Sequence, residues 1–334
     1  MDAITVMTET THRPATWDDI PAIVELCNHV MVAMWGVPEW STEDTEKSFS
    51  RPGFVLEEYV HLWQDETGTL VGMCFISMQE PRVRTRVMPY ILPTFPHHTV
   101  LGRELLAWGE SAVRRVSIPT CPDDAKVQML SWTNKTYAPY VELFRGYGMG
   151  LIRQYWTMEI DLHADLVPPD LPQDVTIRTL RYPEESREMY RLQDVAFADH
   201  YGHIDDPDMK NYDGWAHRFT TRWFDPTLWF IAEVNGEYAG FSWCHAGTAE
   251  DPHLGYVETL GVLPAFRRRG LATLLLHHCF RELYGRGMHK VELEVDATNI
   301  TGATRVYERV GMHPAVVWDT YAKVLRDGVE IVRE

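Results

Sequence analysis

The sequence is short of cysteine and of basic residues, and it has no long apolar run. Its five cysteines are scattered without a C-x-x-C pair, so neither a disulfide framework nor a zinc site is indicated. Lysine and arginine total 31 against 48 aspartates and glutamates, a net charge of -17, which argues against a nucleic-acid binder. Since an apolar signal region and a membrane-length run are also missing, we expect a cytoplasmic protein that binds neither nucleic acid nor a membrane.

Two nucleotide-binding motifs are also missing, the P-loop G-x-x-x-x-G-K-[ST] and a G-x-G-x-x-G after a strand. A different pattern is present over 256–276, YVETLGVLPAFRRRGLATLLL. Its apolar start predicts a buried strand over 256–262, Leu263-Pro264 ends it, and a helical leucine pattern follows Gly270. A basic turn between a strand and a helix N-terminus collects unpaired backbone N–H groups at the positive end of the helix dipole. The stretch therefore predicts an anion site.

This turn resembles the acetyl-CoA loop of the GCN5-related N-acetyltransferases (GNAT), whose R/Q-x-x-G-x-G/A reads here as RRRGLA, 267–272. A strand precedes it directly, and a second block, VELEVDATNITGATRVYERVGM (291–312), follows at the family's spacing. The resemblance implies acetyl-CoA as co-substrate and no metal. In the family a strand bulge binds the acetyl carbonyl and the pantetheine arm, and the resemblance places this bulge at Leu260, Gly261 and Val262. Asn299 matches the family's asparagine that hydrogen-bonds the CoA arm, and a helix N-cap is its alternative role. The implied cofactor residues are Leu260, Gly261, Val262, Arg267, Arg268, Arg269, Gly270, Leu271, Ala272, Thr273 and Asn299.

There are two catalytic candidates, one from the resemblance and one from the strand pattern. Tyr307 lies where the family's catalytic tyrosine usually lies and is expected to protonate the leaving thiolate, the alternative being a packing aromatic. Period two puts Tyr256, Glu258, Leu260 and Val262 on one strand face, and a carboxylate among apolar residues is costly without a task. Glu258 is therefore predicted to act as general base through a water, or else to be a structural or acceptor-binding residue. Many family members have their base at the position of Tyr256.

A segment rich in polar aromatics, residues 196–219, precedes the second hairpin. The matching segment of the family covers the acceptor, so the resemblance makes it a source of substrate contacts. His200 and His203 with Asp205 are a less favoured metal pair, because spacing fixes no third ligand. The predicted substrate-binding residues are Asp199, His200, Tyr201, Trp215 and Tyr256.

The sequence looks duplicated. Two apolar runs around a turn, 58–78, recur as 228–246 with Asn235-Gly236, the favoured two-residue hairpin turn. Further pairs at similar offsets are Arg13 and Arg178, Gly72 and Gly240, Leu92-Pro93 and Leu263-Pro264, and Gly148-Met149 and Gly311-Met312. We expect an α/β (mixed α+β) protein of two tandem GNAT domains, each a twisted, mostly antiparallel sheet flanked by helices. The predicted bounds are 1–163, a Pro-rich linker 164–173, and 174–334.

The two copies differ at the loop. Aligned on the Leu-Pro pairs, PHHTVL (96–101) replaces RRRGLA, so the arginines and the glycine are lost and Pro96 removes a donor. A shifted register using Gly102 is the less favoured alternative. Phe144 stands where the second copy has Tyr307. We therefore expect a degenerate first domain that binds CoA poorly or not at all.

The favoured function is acetyl-CoA-dependent acetylation of a primary amine on a small molecule, by direct attack, in the C-terminal domain. Tandem copies with one intact loop look most like the mycothiol synthase branch, although that branch's acceptor-side glutamate falls at Tyr256. A CoA-binding sensor or scaffold without turnover, and a protein N-acetyltransferase, are the alternatives. The chain is expected to be a monomer or homodimer.

Overall fold

The computed structural model describes residues 10–164, 166, 169–249, 251–298 and 302–333. Its strands are β1 (Thr11–Pro14), β2 (Val60–Gln64), β3 (Leu70–Met78), β4 (Arg84–Ile91), β5 (Val127–Asn134), β6 (Gly150–Asp161), β7 (Val175–Thr179), β8 (Trp229–Val234), β9 (Glu237–Ala246), β10 (Leu254–Val262), β11 (Lys290–Asp296) and β12 (His313–Arg326). Its helices are α1 (Ile20–Trp35), α2 (Thr42–Phe49), α3 (Leu56–Tyr59), α4 (His98–Val116), α5 (Ala138–Gly146), α6 (Ser186–Phe197), α7 (Tyr212–Ala216), α8 (Leu271–Gly285) and α9 (Ala303–Arg309). None of these helices is long and apolar enough to cross a membrane.

The chain forms two compact units whose bounds differ from those predicted. The first contains the chain up to Arg153 together with Trp318–Glu330, and the second contains Gln154–Val317 together with the chain from Ile331. The difference arises because strands are exchanged between the sequence halves. In the first unit, residues 318–326 of β12 pair with β5, and in the second, residues 155–161 of β6 pair with β11. The predicted bounds follow the sequence repeat, whereas the compact units follow strand pairing.

Each unit has a mostly antiparallel sheet with one parallel pair. The first unit has the order β1-β2-β3-β4-β5-β12 with β4 and β5 parallel, and the second has β6-β11-β10-β9-β8-β7 with β10 and β11 parallel. The β8–β9 hairpin turns at Asn235 and Gly236, which both have positive φ, of 51° and 81°. Two consecutive positive φ angles suit the right-handed strand twist, so the predicted hairpin turn is confirmed.

The duplication is also visible in a pair of equivalent ion pairs. In the first unit, Arg13 donates to both oxygens of Asp19 at 2.8 and 2.6 Å. In the second, Arg178 donates to both oxygens of Glu185 at 2.9 and 2.8 Å. The Arg13 hydrogen bond lowers the pKa of Asp19 to about 2. In both units the arginine of the first strand thus anchors the start of the first long helix.

The second unit buries apolar side chains on both faces of its sheet. On one face, β8 and β9 pack against α6, with Trp229, Ile231, Phe241, Trp243, Met189 and Leu192 in the core. On the other face, α8 and α9 pack with Val257, Leu275, Leu276, Cys279, Phe280, Leu283 and Tyr307 in the core. Strand β10 is therefore held from both sides, which fixes its C-terminal end relative to the start of α8.

Candidate active site

The second unit contains a cavity of about 900 Å³ at the C-terminal end of β10. The ends of β11 and α6, the start of α8, and α9 complete its wall. Of the residues predicted for the site, those that line it are Asp199, His200, Tyr201, Glu258, Leu260, Gly261, Val262, Arg267, Arg268, Gly270, Leu271, Ala272, Thr273 and Tyr307. Arg269, Trp215 and Tyr256 are not in the lining, and Asn299 lies outside the described residues. Local sequence patterns therefore converge on one cavity.

The end of the cavity at α8 is built for an anion. Gly270 is the N-cap of α8 and has a φ of +80°, a backbone conformation that residues other than glycine rarely adopt. A Cβ placed there would meet no atom within 4 Å, so a ligand has room to approach the backbone. Leu271, Ala272 and Thr273 form the first turn and line the cavity. The first N–H groups of a helix lack partners inside it, so this turn offers hydrogen-bond donors at the positive end of the dipole.

The three loop arginines differ in their contacts, although the resemblance implies a cofactor role for all of them. Arg267 donates to both carboxylate oxygens of Asp199 and to the carbonyls of Ala196, at 2.9 Å, and Val262, at 3.2 Å. It thus ties the end of α6 to the turn. This hydrogen bond also lowers the pKa of Asp199, a predicted substrate contact.

The other two arginines are at the surface of the turn. Arg269 donates to Asp174 at 2.6 Å. Arg268 lines the cavity, has a φ of +63°, and makes no hydrogen bond or ion pair with any residue in the described ranges. Of the three guanidinium groups, Arg268 is therefore the one left to meet an anion.

The β-bulge of β10 lies at Glu258, not at the predicted Leu260–Val262. Val257 is opposite Cys244 and Thr259 is opposite Trp243, so Glu258 is the extra residue. Leu260, Gly261 and Val262 are regularly paired with β9. The sequence could not locate the bulge, because its position depends on the register with the neighbouring strand.

Free backbone groups arise instead on the other edge of β10. Its parallel pairing with β11 covers Leu254 to Tyr256, opposite Lys290 to Glu292. Beyond Tyr256 the two strands diverge, and the cavity is lined by residues 258–262 on one side and 294–296 on the other. The edge of β10 that faces this opening can donate backbone hydrogen bonds to a ligand.

The bulge also changes the side-chain alternation, so the predicted common face of Tyr256, Glu258, Leu260 and Val262 is wrong. The ring of Tyr256 stacks on His245 at 5.4 Å, whereas Leu260 packs on the opposite face of the sheet with the α8 core. The side chain of Glu258 is 44% exposed, and Arg218 donates to its Oε1 at 3.0 Å. Glu258 is therefore not a buried carboxylate among apolar residues. Its candidacy rests on its position in the cavity wall.

Tyr307 lies in the middle of α9 and is 8% exposed. It lines the cavity, and its hydroxyl makes no hydrogen bond within the part of the chain that the structure describes. Burial raises its pKa to about 12. The phenol is therefore protonated at neutral pH and able to donate a hydrogen bond into the cavity.

The predicted acceptor residues fall into two layers. His200 lines the cavity with its ring edge-on to Phe197 at 4.5 Å, and burial lowers its pKa. Trp215 lies behind the lining, where its Nε1 donates to Gln193 at 2.6 Å. His203 pairs with Asp205 at 3.2 Å and Asp194 at 3.4 Å. Neither these side chains nor any other histidine, cysteine or carboxylate group among the described residues is arranged to hold a metal ion.

Several lining residues were missed by the sequence analysis, namely Tyr155, Gln193, Glu294, Asp296 and Arg309. A signal existed for two of them, because Glu294 and Asp296 alternate with buried Leu293 and Val295 along β11. Tyr155 had no local signal, since it comes from the exchanged strand β6.

Comparison with known proteins gives consistent relatives. The model of the acetyltransferase (GNAT) family matches residues 187–312, which include every residue that lines the cavity except Tyr155. A mycothiol acetyltransferase of Thermobispora bispora is 34% identical over 185 residues, which are 54% of this chain and 60% of that protein. A mycothiol acetyltransferase of Streptomyces bingchenggensis is 33% identical over 256 residues, 75% of this chain and 76% of that protein.

Solved structures extend the likeness to the whole chain. A GCN5-related N-acetyltransferase from Sphaerobacter thermophilus has a TM-score of 0.79 at 26% identity, over 98% of this chain and 99% of that one. A tandem GNAT protein from the clavulanic acid biosynthesis pathway has a TM-score of 0.73 at 15% identity, over 96% of this chain and 100% of that one, and shares the fold. The predicted tandem fold is therefore confirmed. With a relative 33% identical over three quarters of both sequences, the chain belongs to the GNAT family of acetyltransferases.

Proposed function

We propose that the second unit transfers an acetyl group from acetyl-CoA to a primary amine of a small molecule. The observation that carries this proposal is the set of residues that line one cavity of about 900 Å³. Its wall combines an anion-binding helix start and Arg268 with a carboxylate, Glu258, and a protonated phenol, Tyr307. Acetyl transfer from acetyl-CoA to an amine requires a phosphate-binding site, a proton acceptor and a hydrogen-bond donor, and these groups supply all three.

The residues at the start of α8 fit the diphosphate of CoA. Gly270 leaves open space, the first helical turn supplies backbone donors, and Arg268 supplies a positive charge without a protein partner in the described ranges. The opening between β10 and β11 leads from this end toward Glu258 and Tyr307 and suits an extended arm. When bound, acetyl-CoA supplies the acetyl group as an activated thioester.

We assign three roles to this chain's own groups. Glu258 accepts the proton of the acceptor amine, directly or through a water. Backbone N–H groups on the divergent edge of β10 donate to the acetyl oxygen as negative charge develops there. Tyr307 donates a hydrogen bond to the departing sulfur.

The role of Tyr307 is narrower than that of a proton donor. Its pKa is about 12, whereas a thiol has a pKa of about 8.5 in water, so the phenol is the weaker acid. A complete proton transfer to a thiolate is therefore uphill. We propose that Tyr307 stabilises the sulfur by hydrogen bonding, while solvent supplies the final proton.

The acceptor side favours an amine in its cationic form. Glu258, Glu294 and Asp296 all line the cavity beyond the β10–β11 pairing. Carboxylates attract an ammonium group and raise its local concentration. The relatives named mycothiol acetyltransferase support a small-molecule acceptor, and the acceptor itself is best found by a screen of primary amines.

Titration calorimetry with acetyl-CoA tests the proposal, followed by thiol release in the amine screen. We expect one site per chain and amine-dependent release. Arg268→Gln should weaken binding by about tenfold or more, the usual worth of a charge-assisted hydrogen bond. Arg269→Gln is the matched control and should change binding by less than about twofold, as expected for an exposed ion pair with Asp174. Two sites per chain would contradict a single working unit, and no binding would contradict the enzyme itself.

A further inference from the structure

Arg218 is held by three residues on three different elements, Trp215 of α7, Trp243 of β9 and Glu258 of β10. It lies in the short helical turn His217–Thr220 that follows α7. Its Nε donates to the carbonyl of Trp215 at 3.0 Å, and its Nη1 donates to Oε1 of Glu258 at 3.0 Å. The guanidinium carbon is 4.9 Å from the ring centre of Trp215 and 5.4 Å from that of Trp243. A cation fixed by two rings and a carbonyl can hold its carboxylate partner in one place.

Glu258 needs such a partner because of its backbone. It is the extra residue of the bulge, and its side chain is 44% exposed. An exposed glutamate is free to adopt several rotamers, and different rotamers place its carboxylate oxygens differently. The bond from Arg218 engages Oε1 only, and Oε2 has no hydrogen bond within the described ranges.

We propose that Arg218 is a positioning residue for acetyl transfer, which holds Oε1 of Glu258 so that Oε2 accepts the acceptor's proton. This rests on the proposed function. The proton leaves the attacking nitrogen and forms a bond to Oε2, directly or through one water, while Arg218 stays charged and exchanges no proton. Arg218 acts through Glu258 and is not itself a catalytic residue.

The geometry distinguishes this role from simple stabilisation. Since 44% of the Glu258 side chain is exposed, the charge attraction between Glu258 and Arg218 itself contributes little to folding. Arginine is required in this position because its planar fork serves Trp215 and Glu258 with two different nitrogens at once. A lysine can keep the charge near Glu258 but has no second donor in a fixed direction.

A double-mutant cycle on the full chain tests the proposal, with kcat and both KM values measured for an amine found in the screen. Arg218→Ala should lower kcat by roughly 10- to 100-fold, the cost of a misplaced catalytic group, and leave the KM for acetyl-CoA unchanged. In a Glu258→Gln background the same change should have no further effect on kcat, because nothing is left to position. Arg218→Lys should recover part of the loss.

Arg187→Ala is the matched control, because Arg187 also lies over an aromatic ring, that of Tyr212 at 4.6 Å, whereas the hydrogen bond to Glu258 comes from Arg218. It should keep the kcat of the unchanged chain. Thermal melting checks the fold, and Arg218→Lys replaces Arg218→Ala in the cycle should the latter not fold.

Two results overturn the role of Arg218. One is an equal loss of kcat from the Arg218 change with and without Glu258→Gln, and the other is a loss confined to KM. A chain that binds acetyl-CoA but acetylates no amine overturns the proposed function instead, and the role of Arg218 with it.

Discussion

The helix that follows the fifth strand of each unit's repeat packs differently in the two units. The pairs Gly148-Met149 and Gly311-Met312 align Tyr140, Leu143 and Phe144 of α5 with Ala303, Val306 and Tyr307 of α9. In the second unit Ala303, Val306 and Tyr307 line the cavity. In the first unit their three counterparts are buried at 0–2% exposure. The helix thus lines a cavity in the second unit, whereas in the first unit Tyr140, Leu143 and Phe144 form a buried cluster, called the plug below.

The plug also takes up a backbone donor. The hydroxyl of Tyr140 accepts the N–H of Ile91 at 3.0 Å, and Ile91 aligns with Val262 at the end of the corresponding strand. Leu143 packs so closely on α4 that a Cβ on Gly102 would lie 2.6 Å from it. Gly102 is therefore a packing position inside α4, not a substitute for the loop glycine. Tandem copies of one fold can diverge in this way with few changes, because the site lies between elements that both copies keep.

The largest effect is expected from opening the plug. Tyr140→Ala removes a fully buried aromatic ring and should lower the free energy of unfolding by about 3–5 kcal/mol, measured by urea denaturation. The acetyl-CoA stoichiometry of the folded protein should stay at one, because α4 begins at His98 after a His97 with φ −103° and without a left-handed glycine. Tyr140→Phe is the control: it keeps the ring, leaves the Ile91 N–H unpaired, and should cost about 1–3 kcal/mol.

A second acetyl-CoA site in Tyr140→Ala would contradict this comparison. It would mean that the plug alone prevents acetyl-CoA from binding to the first unit, and that the lost arginines and glycine do not contribute.

The reverse exchange, Ala303→Tyr, should convert the second unit toward the first. Ala303 lines the cavity, so the added ring would take up space that the cofactor needs. If binding has to overcome an overpacking cost of about 1–3 kcal/mol, the acetyl-CoA affinity falls by up to about 100-fold. Calorimetry measures the affinity, and circular dichroism confirms the fold. Thr304→Val, one residue further along α9 and not in the cavity lining, is the control and should bind normally. Unchanged affinity in Ala303→Tyr would show that α9 does not bound the cofactor site.

The local features of this comparison were predictable from sequence, and the non-local ones were not. The Asn235-Gly236 turn and the start of α8 at Gly270 follow from single residues with positive φ. The exchange of β6 and β12 does not, because a repeat gives the order of elements but not which strands pair. The same holds for Arg267, whose partner Asp199 is 68 positions away in sequence.

The bulge at Glu258 explains why the predicted common face of β10 is wrong. Strict alternation predicts one face for Tyr256 and Leu260, and one extra residue between them reverses it. The prediction of Glu258 rested on burial among apolar residues, yet its side chain is half exposed beside Arg218. Glu258 nevertheless lies in the cavity wall, because it is the extra residue of the bulge.

The smallest effect on activity is expected at the position where the two helices differ by one atom, Phe144 and Tyr307. Tyr307→Phe should lower kcat by about tenfold, the loss of one hydrogen bond to a developing charge, with acetyl-CoA affinity unchanged. Stability gives an independent readout. Below pH 10 the phenol is protonated in both the folded and the unfolded chain, so it contributes no pH dependence. Between pH 10 and 12 the unfolded phenol ionises while the buried one does not.

The free energy of unfolding of the unchanged chain should therefore fall faster across that window than that of Tyr307→Phe. The difference reaches at most about 2.7 kcal/mol near pH 12, two pKa steps of about 1.36 kcal/mol each. The other tyrosines titrate in both proteins and cancel. Parallel stability curves would show that Tyr307 reaches solvent in the folded state, and an unchanged kcat would leave Phe144 and Tyr307 equivalent. In that case the missing hydroxyl of Phe144 would not separate the two units, and the difference between them would lie in the buried Tyr140 and in the altered loop before α4.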